Sequence, residues 1–380
     1  MKKYTPQFEG ESDMSTLGSA FELRKKKDIK TKNMHDLSLW LNELRIHPKL
    51  TYLFVELTQH CNLTCLHCGS SCAPGKGKML DKDLLCHALK TIAEDFEVSK
   101  VMICLTGGEP MLHPQFWEII QYIHQLGFPW GMTTNGTLIK AYEAQRLKEC
   151  GIGSITLSID GIQKSHDALR GVHGSFERAI RGVQALKAEG IPVQITSVIH
   201  KKNLNELDQL FDLMKSLNIA SWRVINLEPI GRALEHKDLL LARNDFFELL
   251  AYIRQKRFDP DVTFDVRYGC SHYLSFDYER EVRDNYFICG SGIYVGSILC
   301  NGDIFSCLDI ERRPELIQGN IANDRFSDVW HHRFQAFRMD RSAKCAECLN
   351  CAERAFCHGD SAHTWDFTQN KPMFCILQQE

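Results

Sequence analysis

Between residues 51 and 227 the chain alternates between two kinds of segment, and this alternation restricts its fold more than any other feature. Short, apolar, strand-like runs occupy 51–58, 100–106, 129–134, 153–159, 192–199 and 221–227. Segments with helix-like patterning lie between them, at 82–95, 115–126, 140–149, 175–188 and 204–217. The spacers carry turn residues such as Gly127, Gly151, Gly190 and Asn218. Strands that alternate with helices connect through right-handed βαβ crossovers and build a parallel sheet. Six such units predict an α/β fold, a partial (β/α)6 TIM-like barrel short of the eight units of a closed one. Ligands in such folds sit at the carboxyl ends of the strands, where the βα loops converge.

The flanks read differently. A further helix near 243–256 leads out of the barrel, and beyond about 265 the alternation stops in favour of short, cysteine-rich segments. The expected organisation is an N-terminal extension at 1–50, a core at 51–230, a helical bridge at 231–265 and a small cysteine-rich domain at 266–380. Within the extension, the basic run 23–32 reads as a solvated segment, and 36–44 as a short helix with Asp36 as its N-cap.

The loop after the first strand carries the chemistry. Its sequence HCNLTCLHC sets Cys61, Cys65 and Cys68 in a C-x3-C-x2-C pattern. Four thiolates close a [4Fe–4S] cluster, so three on one loop leave one iron open to something other than protein. Zinc is the competing occupant, because Cys suits it and His60 and His67 flank the thiols. The second strand ends in Leu105-Thr-Gly-Gly-Glu-Pro110, where consecutive glycines let a ligand approach the backbone closely. The chain has sixteen cysteines and no apolar signal-peptide core in its first twenty residues. Clustered cysteines in that setting point to metal or redox chemistry rather than disulfides. Cys86, Cys104 and Cys150 read as isolated core residues, and Cys72 and Cys300 as bystanders.

Cys-Asn-Leu-Thr-Cys-Leu-His-Cys followed by Thr-Gly-Gly-Glu-Pro resembles the radical S-adenosylmethionine (SAM) superfamily. Thr133-Thr-Asn-Gly136, Ser158-Ile-Asp-Gly161, and Asp167-Ala-Leu-Arg170-Gly with the later Gly174-Ser-Phe176 fall in the matching order. The resemblance implies that the open iron is chelated by the methionine part of SAM and that Gly107, Gly108 and Glu109 lie against its amino group. It also implies that Ser158 and Asp160 lie near the ribose and that Arg170 pairs with the SAM carboxylate. The implied chemistry is one-electron cleavage of the sulfonium to methionine and a 5′-deoxyadenosyl radical, which takes hydrogen from an unactivated C–H bond.

Downstream, Cys289, Gly302 and Cys307, then Cys348-x2-Cys351-x5-Cys357, resemble the SPASM extension of radical SAM enzymes, which holds two auxiliary [4Fe–4S] clusters. Cys348, Cys351, Cys357 and Cys375 are assigned to one cluster. Cys270, Cys289 and Cys307 are assigned to the other, with Cys345 completing it. Ser361 stands where many members have a further cysteine, so an open iron, or ligation by His358, Asp360 or Ser361, is the alternative.

The expected activity is that of a radical SAM/SPASM enzyme acting on a peptide or protein. Its partners would be an electron donor such as flavodoxin or ferredoxin and a separate leader-peptide-binding protein, since residues 1–50 are shorter than the usual leader-binding domain. A radical SAM enzyme of cofactor biosynthesis acting on a small molecule is the alternative, and a non-catalytic zinc-binding interaction protein the minor one. The net charge of -3 argues against a broadly basic nucleic-acid surface. No apolar run approaches the ~20 residues of a membrane span, so a cytoplasmic location is expected.

Overall fold

The computed structural model describes residues 20–378, apart from 76 and 270. Six strands form where the apolar runs predict them: β1 (Tyr52–Glu56), β2 (Met102–Thr106), β3 (Trp130–Thr134), β4 (Ser154–Ser158), β5 (Val193–Ile199) and β6 (Ser221–Asn226). They pair in parallel, each with the next in sequence. One set of strand side chains, including Leu53, Val55, Ile103, Leu105, Ile155, Leu157, Trp222 and Val224, is fully buried in the main core. On β5 and β6 the intervening Thr196, Arg223 and Ile225 face a cavity instead. The period of two along each strand thus separates core from binding surface.

The helices between strands are α2 (Lys82–Asp95), α3 (Phe116–Gln125), α4 (Ala141–Glu149), α6 (Ser175–Ala188) and α7 (Leu207–Leu217). In α2, the Asp81 carboxylate caps the first turn by accepting from Leu84 N at 2.8 Å. Leu85, Ala88, Leu89 and Ile92 then bury one face at helical spacing. Each buried leucine contributes about 1.5–3 kcal/mol of burial.

Three features depart from the sequence expectation. First, 36–44 is no separate helix. It lies inside α1 (Ala20–Ile46), so Asp36 is an interior residue and not a cap. Lys and Arg are good helix formers, and the basic run continues the helix rather than breaking it. Met34, Leu41 and Leu44 are buried on one face of α1, and Ser38 Oγ donates to Ala355 O at 2.7 Å. Second, α5 (Gln163–Arg170) is an extra helix between β4 and α6, polar enough to be read as loop. Third, parallel pairing does not stop at 265. Strand β7 (Asp265–Tyr268) straddles the expected boundary and pairs with β6, while β8 (Val295–Ile298) pairs in parallel with β1 on the side away from β2. Two further strands extend this edge: β9 (Asp303–Phe305) pairs antiparallel with β8, and β10 (Gly319–Asn320) pairs antiparallel with β9. One ten-stranded sheet therefore runs through both halves of the chain. Four-residue strands are too short to display a period in the sequence, which is why they escape a reading of pattern.

Candidate active site

The cysteine loop between β1 and α2 is gripped from four directions. From β2, Gly108 N donates to Thr58 O at 2.6 Å and Glu109 N to His60 O at 3.0 Å. The two glycines are needed for this contact: a Cβ at Gly107 would lie 2.3 Å from Thr58 O, and one at Gly108 would lie 2.2 Å from His60 O. Their first task is to let the cysteine loop lie on the strand end, and they also line the cavity beneath it. From α5, Arg170 O and Leu169 O accept from Thr64 N and Leu66 N at 3.1 and 2.9 Å. Gly171, at φ +70°, turns the chain away against Thr64. Asp167 then caps α6, accepting from Gly174 N and Phe176 N at 2.6 and 2.8 Å. The run from Asp167 to Phe176 is thus a docking element for the loop.

The third grip is Arg232, after β6. Its Nε donates to Cys65 O at 2.8 Å and its Nη1 to Cys72 O at 2.7 Å. The fourth comes from the C-terminal half. Arg312 Nη2 lies 2.5 Å from Glu56 Oε1, before the loop, and 3.2 Å from Ser70 Oγ, within it. Cys300 N donates to the other Glu56 oxygen at 3.1 Å, so the backbone of this bystander cysteine helps to hold a buried carboxylate.

Each of the three sulfurs meets a donor. Cys61 Sγ is 3.4 Å from Leu63 N and 3.9 Å from Asn135 Nδ2, Cys65 Sγ is 3.6 Å from Arg170 Nη1, and Cys68 Sγ is 3.3 Å from Cys72 N. Burial pushes the Cys61 thiol up to about 12 and raises Cys65, whereas the hydrogen bond with Cys72 brings Cys68 down to about 6. Donors aimed at sulfur suit thiolates bound to iron, and binding would release the protons that burial retains.

These sulfurs open on a cavity of about 340 Å³ at the carboxyl ends of the strands. Gly107, Gly108, Ser158, Asp160 and Arg170 also line it. Asp160 and Arg170 form a buried ion pair, Nε to Oδ2 at 2.5 Å. Burial tends to raise the Asp160 carboxyl, but Arg170 and the neighbouring imidazoles overcome it and hold the carboxyl near 2. Glu109 is different. It is fully buried outside the cavity wall, accepting from Thr134 Oγ1 at 2.9 Å and Asn135 N at 3.0 Å. Burial pushes its carboxyl up to about 7. It ties β2 to β3, and through Asn135 to Cys61, rather than facing a ligand.

The C-terminal half completes the cavity with Ser271, Asp309 and His363. Glu228, also in the wall, lies 2.8 Å from His272 Nε2, and His272 Nδ1 lies 3.0 Å from Asp360 Oδ2. Burial alone would lower His272, but the two carboxylates outweigh it and bring the imidazole up to about 10. Asp360 N in turn donates to Cys357 Sγ at 3.2 Å. A buried chain of charge therefore connects this cavity to a second one, of about 240 Å³, lined by Cys348, Cys351, Cys357 and Cys375. That is the foursome grouped from sequence.

Cys289 Sγ accepts from Ala362 N at 3.3 Å, and Cys289 and Cys307 both pack on the main core. Cys345 is buried, with its Sγ 3.1 Å from Glu347 Oε2. Cys270 lies outside the described residues. Ser361 Oγ is 2.8 Å from Thr364 Oγ1. Among the described residues, no three His, Cys, Asp or Glu side chains close on a single metal ion. Sequence reasoning missed Glu56, Asn135, Arg232, Arg312, Glu228 and His272, and it named Asp360 only as an alternative cluster ligand. Only Asn135 had a signal, as part of Thr-Thr-Asn-Gly.

A partial barrel with three cysteines on its first loop, and a second cysteine-lined cavity behind it, defines a class. The chain belongs to the radical SAM superfamily, whose pattern it matches over residues 55–214, and it matches an iron–sulfur cluster-binding SPASM domain over 289–352. It is an enzyme whose cofactors are [4Fe–4S] clusters and SAM. Among curated proteins it is 29% identical to an AdoMet-dependent heme synthase of Oleidesulfovibrio alaskensis over 323 residues, 79% of this chain and 80% of that one. It is 31% identical to the mycofactocin maturase MftC of Mycobacterium tuberculosis over 313 residues, 80% of this chain and 76% of that one. In fold it is similar to SuiB of Streptococcus suis bound to S-adenosylmethionine, with a TM-score of 0.67 at 20% identity, covering 82% of this chain and 73% of that one. No helix among the described residues is long and apolar enough to cross a membrane.

Proposed function

We propose that this enzyme abstracts hydrogen from a peptide or protein substrate during ribosomal peptide maturation, by crosslinking or residue oxidation. A reduced [4Fe–4S] cluster with one open iron, when bound, would give one electron to the sulfonium of SAM, which would part into methionine and a 5′-deoxyadenosyl radical able to take the hydrogen. In this reading Cys61, Cys65 and Cys68 hold that cluster. Gly107 and Gly108 offer backbone groups to the methionine end, and Ser158, Asp160 and Arg170 flank the remainder of SAM. Because the Asp160–Arg170 pair is buried, its geometry is fixed before SAM arrives. Cys348, Cys351, Cys357 and Cys375 hold one auxiliary cluster. Cys289 and Cys307, with Cys270 and Cys345, hold the other. A flavodoxin or ferredoxin supplies electrons in the cytoplasm, and a separate protein presents the leader peptide.

The observation that carries this reading is a single cavity bounded by the three cysteines, the Gly-Gly edge, the Asp160–Arg170 pair and polar groups of the C-terminal half. The resemblance to a peptide maturase supports the substrate class. The resemblance to a heme synthase supports a second reading, a tetrapyrrole or other small molecule of cofactor biosynthesis. Anaerobically reconstituted protein should be brown and should release 5′-deoxyadenosine from SAM under reduction, and the Cys65→Ala variant should not. A colourless, zinc-loaded protein, or equal release by the variant, would defeat the assignment. Mass spectrometry of candidate precursor peptides encoded beside the gene, with loss of hydrogen as the readout, decides the substrate class.

A further inference from the structure

A third cavity, of about 470 Å³, lies where the partial barrel fails to close, between β7 and the segment leading to β8. Helix α1 covers it from outside with Trp40. Tyr286, Phe287 and Tyr294 provide further aromatic walls. Its charged lining is unbalanced, with Arg223, Arg267 and Arg283 against Asp284 alone. Asp284 is already committed to Arg257 at 2.5 Å and Arg267 at 3.1 Å. Arg283 is turned inward, donating to His272 O at 2.7 Å and lying over the Tyr268 and Phe287 rings.

Arg223 has a different position. It projects from the middle of β6 and lines both this cavity and the one that holds the three cysteines. Its Nε donates to Thr196 Oγ1 at 3.1 Å, and among the described residues no carboxylate lies within ion-pairing distance of it. A half-buried guanidinium with no anionic partner, at the junction of two cavities, is a preformed receptor for carboxylate. The aromatic walls outside it suit the body of an elongated molecule.

We propose that the seam cavity is a substrate subsite, in which a carboxylate of an elongated substrate is held by Arg223 while the reacting carbon lies in the cavity beyond. The subsite rests on the radical SAM reading for where the reaction occurs, but not on the substrate class. A carboxylate could come from an acidic peptide residue or from a tetrapyrrole propionate. Both sources share this chemistry, and they are separable by experiment.

Reconstituted, SAM-loaded full-length protein is tested in two arms, each with wild type, Arg223→Gln and Arg223→Lys. In the first, a displayed random-hexapeptide library is selected on the protein and sequenced. In the second, coproporphyrin III and its tetramethyl ester are titrated, read by absorption and by quenching of Trp40 emission, with Trp40→Phe as the control for location. The expected result in at least one arm is a carboxylate preference of about tenfold that falls to near unity in Arg223→Gln and is partly restored in Arg223→Lys. A preference in the porphyrin arm alone keeps the subsite and overturns the peptide reading. Binding without carboxylate preference, a preference unchanged in Arg223→Gln, or no binding in either arm overturns the subsite.

Discussion

Replacing Arg312 with Met should weaken the enzyme in a way that a second substitution repairs. Glu56 ends β1 with its side chain 1% exposed, and its two oxygens are held by Arg312 and by Cys300 N. Removing the guanidinium leaves a buried carboxylate with only neutral partners, the amide and thiol of Cys300. Breaking a buried ion pair from one side typically costs about 3–5 kcal/mol. Arg312 is a quarter exposed, so water can enter the space it leaves and the cost falls below that range, to about 2–3 kcal/mol. Removing the charge as well, in Glu56→Gln/Arg312→Met, should recover more than half of the loss, because an amide is far cheaper to bury than an unpaired carboxylate. The assay is chemical unfolding of wild type, both single variants and the double variant, completing a double-mutant cycle. Arg312 also reaches Ser70 in the cysteine loop, so the single variant should broaden the electron paramagnetic resonance signal of the reduced SAM-binding cluster. A single variant within about 0.5 kcal/mol of wild type, or a double variant no better than the single, would refute the reasoning.

Two further outcomes follow from the site. Gly108→Ala sets a methyl against the His60 carbonyl at 2.2 Å, where backbone cannot yield. It should cost about 1–3 kcal/mol and lower the iron and sulfide content per chain, both measurable on purified protein. His272, raised from its ordinary value of about 6.5 to about 10 by Glu228 and Asp360, binds its proton more tightly folded than unfolded. Its contribution to stability is therefore complete below pH ~6.5 and is lost as pH rises through ~10. Melting temperatures of wild type should fall across that window more steeply than those of His272→Gln. Parallel curves would remove the imidazolium from the account.

The barrel and the cysteine loop were legible in the sequence because each has a local signature. Strand period, turn residues and C-x3-C-x2-C spacing all lie within short windows, and the four cysteines 348, 351, 357 and 375 surround one cavity as grouped. What was not legible depends on distant partners. Glu109 reads as a ligand-facing acid beside two glycines, but its partners Thr134 and Asn135 turn it into a brace inside the protein. Arg312 lies in an unremarkable charged run, and only the fold brings it to Glu56. Strands β7 and β8 carry too few residues to declare themselves, and α5 is too polar to show an apolar face.

The pairing of β8 with β1 has a consequence for how the protein is made. Glu56 and Cys300 meet across 244 positions of sequence, and β1 gains its second neighbour only from Val295–Ile298. During synthesis β1 and the cysteine loop emerge well before Val295–Ile298, and until that segment has left the ribosome one flank of the strand stays an unpaired edge. Long-range closure of this kind is slow. The cysteine loop accordingly acquires its final anchor, Arg312, only when the C-terminal half folds onto it.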